Sequence, residues 1–246
     1  MPATLSDEGI VLRRRAFAEA DRILVIMTRD HGKVSCLARG VRRAKARNAA
    51  GLDVLARSQL LLIPGRNLFV LAQARPLGPA PSSTDPVRLG CAAVLAEAAD
   101  GLLEDGHPDP DLYRLLADSG ERLLDSRSDP RVELVVAVFE LAAQVGYLPG
   151  LERCVVCGRP LENLPGRFLP ELGGIVQDGC ASPAGLVCGA AAIRVLRLLA
   201  RGGGETARRL RWSPELLSEV EGILLAHLEH RLDRRLRSAE VLAQLE

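Results

Sequence analysis

Residues 9–39 read GIVLRRRAFAEADRILVIMTRDHGKVSCLAR, and this stretch decides the fold of the first third of the chain. Gly9–Arg15 sets Val11, Arg13 and Arg15 against Ile10, Leu12 and Arg14, the alternation of a half-exposed strand. Arg22–Thr28 is apolar on both sides, as in a central strand. Asp30-His31-Gly32 has turn chemistry, and Lys33–Arg39 reads as the returning arm of a hairpin. A basic, glycine-bracketed loop follows, GVRRAKARNAAG at 40–51. Ser58–Ile63 and Asn67–Gln73 then flank Pro64-Gly65-Arg66, a second hairpin signal. Five short strands in this space predict a small β-barrel of the OB type, an oligonucleotide-binding architecture.

The charge distribution supports that reading. Residues 1–80 hold fourteen Lys and Arg against six Asp and Glu, a net +8, whereas the 246-residue chain carries only +1. The remainder is therefore acidic. A basic module joined to an acidic one implies an anionic partner on one side and different work on the other. The candidate phosphate contacts are Arg13, Arg15, Lys33 and Arg39 on strands, with Arg42, Arg43, Lys45 and Arg47 on the loop. Aromatic residues are only 3% of the chain, so phosphates rather than stacked bases must supply most of the affinity. Phe17 and Phe69 sit between apolar positions and read as core, with base stacking the alternative.

PLGPAPSSTDP at 76–86 is a proline-rich connector that divides the chain into 1–80 and 81–246. Beyond it the apolar period becomes helical over Val87–Leu103, Pro110–Leu124 and Pro130–Val145. Asp85-Pro86, Asp109-Pro110 and Asp129-Pro130 each pair an N-cap with a proline at the first helical position. Helices resume over Ala190–Ala200, Ser213–Arg231 and Ser238–Leu245, and Arg201–Glu205 reads as an interhelix loop. The fold class is therefore α+β and multidomain: an OB-type barrel, then a helical domain interrupted at about 150–189 by a Gly-, Pro- and Cys-rich insert.

That insert holds four of the six cysteines, Cys154, Cys157, Cys180 and Cys188. Cys154-Val-Val-Cys157-Gly158 is a metal knuckle: two intervening residues let both thiolates face one tetrahedral ion, and Gly158 permits the tight turn. Four cysteine ligands leave no open position, so the expected Zn2+ is structural. A vestigial site and a redox pair are the alternatives. Cys36 and Cys91 fall in strand and helix patterns and read as core.

Catalytic residues are not expected. His227-Leu-Glu229 follows the cysteine pair instead of preceding it, as a zinc deaminase would require. His227 and His230 read as a solvated helix face, and no phosphate-cradle or nucleophile-elbow motif occurs. The first residues, MPATLSDEGI, have neither the basic nor the apolar region of a secretory leader. Glu133, Glu140 and Gln144 interrupt the longest apolar stretch, so no membrane span is expected. The expectation is a cytoplasmic protein with reduced thiols.

Taken in order, residues 9–45 (GIVLRRRAFAEADRILVIMTRDHGKVSCLARGVRRAK), 146–158 (GYLPGLERCVVCG) and 229–238 (EHRLDRRLRS) resemble the RecO family of recombination mediator proteins. The resemblance implies an N-terminal OB domain, a helical C-terminal domain and a zinc-binding insert. It also implies binding of single- and double-stranded DNA, strand annealing without nucleotide hydrolysis, and partnership with RecR. It further implies capture of the acidic tail of single-strand-binding protein, help in loading RecA, and residence at the nucleoid. Arg194, Arg197 and Arg201, with Leu196 and Leu199 nearby, form a basic and apolar flank suited to such a tail; a solvated helix face is the alternative. One departure concerns the metal. Members with complete sites carry a second C-x-x-C after a Gly-Gly pair, but Gly173-Gly174 here leads to Gln177 and Cys180. Cys188 then restores the count, with Asp178 as the other candidate. Against the DNA reading stand a protein-binding zinc-ribbon scaffold and an RNA-binding factor.

Overall fold

The computed structural model describes residues 4–42, 51–77, 83–125, 127–161, 165–177, 179–180 and 185–245. Strands β1 (Leu5–Phe17), β2 (Asp21–Thr28), β3 (Gly32–Ala38), β4 (Arg57–Ile63) and β5 (Phe69–Pro76) close into a barrel in the order β1-β2-β3-β5-β4. Closure depends on the length of β1, which pairs with β4 through its first half and with β2 through its second. The seam is a short parallel pairing of β3 with β5, Cys36↔Phe69 and Leu37↔Val70. This is the expected OB arrangement. Gly32 makes the β2–β3 turn at φ +70°, and a β-carbon there would lie 2.3 Å from the His107 carbonyl oxygen.

β1 is not the half-exposed strand that its alternation suggests. Ile10, Val11 and Leu12 are all buried, while Arg13 to Phe17 are all exposed. Val11 packs inside the barrel with Leu24, Ile26, Cys36, Leu60 and Leu62. Ile10 and Leu12, with Met27, join the core of the helical part instead. A strand covered on both faces reads as an apolar run, so the pattern records two environments in succession.

Helices α1 (Pro86–Leu102), α2 (Pro110–Leu124) and α3 (Pro130–Gln144) start where the Asp-Pro pairs place them. Each aspartate caps its helix: Asp85 accepts from Val87 N at 2.9 Å, Asp109 from Leu112 N at 2.9 Å and Asp129 from Arg131 N at 2.9 Å. α3 is buried on nearly all sides, and α1, α2 and α6 (Pro214–Leu232) pack around it. α4 (Ala190–Ala200) and α7 (Arg237–Leu242) complete the body. The glycine-rich turn hides a further short helix, α5 (Gly204–Arg208), which the sequence reading treats as loop. Arg208 anchors it, meeting Glu133 at 2.9 Å, Glu205 at 3.0 Å and Glu140 at 3.6 Å. The insert builds a second sheet in the order β7-β6-β8, from β6 (Gly166–Leu169), β7 (Gly174–Gln177) and β8 (Leu186–Cys188).

Candidate nucleic-acid interface and metal centre

The register places three barrel residues in one cross-strand row: Arg15 opposite Ile23, and Ile23 opposite Leu37. Side chains alternate across a strand, so this row and Arg13 share the outer face of β1–β3, with Arg39 just beyond the end of β3. Arg15 and Arg39 are exposed and make no ion pair among the described residues. Arg42 is also exposed, its guanidinium donating to the Ala18 carbonyl at 3.3 Å, which ties it to the β1–β2 turn. Arg13 leans to one side, its Nε 3.0 Å from Asp100, yet its side chain stays 63% exposed. Arg43, Lys45 and Arg47 lie outside the described residues.

Lys33 is not part of this surface. Its Nζ donates to the Asp100 carbonyl at 2.7 Å and meets the Asp105 carboxylate at 3.3 Å, with the side chain only 11% exposed. The barrel uses it to hold α1 and the turn after it. Phe17, read as core, is 46% exposed at the end of β1, whereas Phe69 is partly buried against the barrel interior, as read. A cleft of about 860 Å³ between β1 and the end of the chain brings Arg13 and Arg14 together with Arg234 and Arg237, and with Glu97 and Asp100. The run of arginines near the C-terminus signalled this second cationic element, but nothing local could place it beside β1.

The cations on α4 and at its C-terminal cap divide. Arg194 is exposed and Arg201 makes an exposed ion pair with Glu152 at 3.6 Å. Arg197 is an internal clamp: it donates to the carbonyls of Leu151 and Leu161, each at 2.8 Å, and so ties the two ends of the knuckle hairpin to α4. Leu196 and Leu199 are buried, so they offer no apolar surface to a peptide.

The knuckle is built mainly by backbone. Cys154 N donates to Arg159 O at 2.9 Å, Gly158 N to Cys154 O at 2.9 Å, and Leu161 N to Glu152 O at 2.9 Å. Gly158 closes the turn at φ +72°. Val155 N donates to Ile175 O at 3.1 Å, which brings the knuckle onto β7. The sulfurs of Cys154, Cys157 and Cys180 consequently lie within 4.8 Å of one another. A tetrahedral ion with ~2.3 Å bonds to sulfur needs sulfurs about 3.8 Å apart, so the triad can hold a metal. Burial favours the neutral thiol of Cys154. Hydrogen bonds from the backbones of Cys157, Gln177 and Val156 nevertheless bring its pKa down to about 7, toward the thiolate a metal requires.

Cys188 does not join the triad. It closes β8 opposite Gly166, fully buried, and burial together with nearby Glu219 pushes its thiol up to about 12. The sequence spacing counts cysteines without knowing that β8 carries this one into the core. Asp178 lies outside the described residues. Cys36 and Cys91 are buried in the cores, as read. His227 reverses its expected role: it is fully buried, 2.8 Å from the Tyr147 carbonyl through Nε2 and edge-on to Phe168. His230 is exposed, as read. Among the described residues no helix is long and apolar enough to cross a membrane.

Barrel and helical body together define a two-part chain with a cysteine-knuckle sheet set into its second part. The family models match in the same two pieces: Recombination protein O N terminal over residues 1–80 and Recombination protein O C terminal over residues 83–240. The chain is 36% identical to the DNA repair protein RecO of Cutibacterium acnes, across 97% of this chain and 98% of that one. It is 36% identical to that of Heliobacterium modesticaldum (96% and 88% covered) and 35% identical to that of Desulforudis audaxviator (97% and 96%). The chain belongs to the RecO family of DNA repair and recombination proteins.

Proposed function

We infer that this protein is a recombination mediator that binds single- and double-stranded DNA without reading sequence and anneals complementary strands. With RecR it helps load RecA onto DNA coated by single-strand-binding protein. The observation that carries this reading is the outer face of β1–β3, where Arg15, Arg39 and Arg42 stand exposed around an apolar row. In OB folds the second and third strands and the turn between the first two form the oligonucleotide face. Phosphate neutralisation on such a face lowers the repulsion between two strands and leaves base pairing to decide the product, with no covalent step. Exposed Phe17 adds a stacking surface beside the cations.

The division of labour follows the connector: 1–80 grips DNA, and 81–246 supplies protein contacts. Arg194 on α4 and Arg201 just after it are the cations left to attract the acidic tail of single-strand-binding protein. Zn2+ held by Cys154, Cys157 and Cys180 would be structural, tying the knuckle to β7 and Cys180. The cytoplasm, at the nucleoid, is the setting this activity requires. The test is annealing of complementary oligonucleotides coated with single-strand-binding protein, by the full chain, beside anisotropy with DNA and RNA of one sequence. Faster annealing and binding to DNA are expected. A marked preference for RNA would transfer the reading to an RNA-binding factor, and neither annealing nor oligonucleotide binding would transfer it to a protein-binding scaffold.

A further inference from the structure

Among the described residues, the side chain of Gln177, the last residue of β7, reaches two sulfurs of the triad. Its amide nitrogen lies 3.6 Å from Cys157 Sγ and 3.9 Å from Cys180 Sγ. Backbone pairing holds it there: Gln177 sits opposite Gly166 in the sheet, and Cys180 N donates to Gln177 O at 3.2 Å. A carboxamide has two ends of nearly equal size, one a double donor and the other an acceptor with two lone pairs. With the nitrogen inward it donates to sulfur. A half-turn about the terminal torsion presents oxygen to the same point.

We propose that Gln177 is the fourth member of the metal site, its amide oxygen completing a coordination sphere with Cys154, Cys157 and Cys180, while Cys188 takes no part. The proposal rests on the metal reading of the triad. Its physical consequence is a weaker site. A neutral oxygen is a poorer donor to a borderline-soft ion than a thiolate, and three thiolates carry one negative charge fewer than four. The metal should exchange more readily than from a four-cysteine ribbon.

The experiment is titration of the metal-free, full-length protein with Co2+, reading the sulfur-to-metal charge-transfer band, followed by displacement with Zn2+. Wild type should take one ion per chain with the band intensity of three thiolates, and Cys188→Ala should leave that band unchanged. Gln177→Cys should raise the band by about a third as a fourth thiolate enters. It should also tighten Zn2+ by at least the ~10-fold that even an outer partner contributes. Gln177→Leu, similar in size but without a donor, should loosen Zn2+ by about 10-fold or more. Circular dichroism verifies that each variant is folded. A wild-type band that shrinks in Cys188→Ala, or a Gln177→Cys variant with unchanged band and affinity, overturns the assignment of Gln177 alone. Folded protein that takes up no metal overturns both this assignment and the metal reading beneath it.

Discussion

Replacing Arg15, Arg39 and Arg42 together with alanine should weaken binding to single-stranded DNA about 100-fold at 0.1 M salt, whereas Lys33→Met should leave it unchanged. Each phosphate neutralised on a single strand adds about 0.7 to the slope of log affinity against log salt. Three contacts therefore add about 2, and the tenfold step from 1 M, where this term vanishes, down to 0.1 M makes that about two orders of magnitude. Lys33 has no such contribution to lose, because its ammonium is already held by the Asp100 carbonyl at 2.7 Å and the Asp105 carboxylate at 3.3 Å. Its removal should instead cost stability. One charge-assisted hydrogen bond at a largely buried position is worth about 2 kcal/mol, which is roughly 4–8 °C of melting temperature in a chain of this size. Anisotropy of a labelled oligonucleotide between 50 and 400 mM salt reads the slope, and calorimetry reads the stability. A triple variant with an undiminished slope would refute the assignment of the barrel face. So would a Lys33→Met protein whose slope falls by as much as one arginine should contribute.

Arg208→Met should destabilise the protein by about 3–5 kcal/mol in chemical denaturation, because buried Glu133 loses its close partner; adding Glu133→Gln should recover part of the loss. Burial lowers the pKa of His227 from its ordinary 6.5, so the unfolded chain takes up the proton first. Stability should hold above about pH 6.5 and decline as pH falls below it, and His227→Gln should flatten that decline in melting curves taken from pH 7.5 to 5. Gly158→Ala meets no steric obstacle within 4 Å, but it puts a β-carbon on a residue at φ +72°. The strain of about 1 kcal/mol should appear as roughly fivefold weaker Zn2+ binding by competition titration.

What the sequence made legible was whatever neighbouring residues settle among themselves. An aspartate two or three positions before the N–H groups it accepts from, with proline between, fixes a helix start locally, and all three such starts stand within a residue of their expected places. The hairpins of the barrel are legible for the same reason. Lys33 was misread because its partners lie 67 and 72 positions away, and on β3 it looks like any other exposed cation. His227 was misread because its acceptor is a carbonyl 80 residues earlier. The short helix α5 was hidden by Gly202-Gly203-Gly204, whose poor propensity is overcome by Arg208 and by Trp212, which donates to Ala207 O at 2.9 Å. In the insert, strands of three and four residues are too short to show a period.

The net charges of the two parts acquire a second meaning once the pairs are placed. Arg13 meets Asp100, Lys33 meets Asp100 and Asp105, and Arg57 meets Glu121, so carboxylates of the acidic helical part neutralise the side of the barrel they touch. The surplus positive charge is thereby displaced toward the outer face, where, among the described residues, Arg15 and Arg39 make no ion pair and Arg42 donates to the Ala18 carbonyl. The same asymmetry thus joins the two parts and aims the remaining field outward. Salt should separate these roles. Exposed phosphate contacts are screened steeply. The joint is held as well by Ile10, Leu12 and Met27 in a shared apolar core and by a lysine with little solvent around it. DNA release on raising salt should therefore precede any loosening of barrel from helices. On the proposed function, the salt dependence of DNA binding should therefore report on the outer arginines rather than on the integrity of the chain.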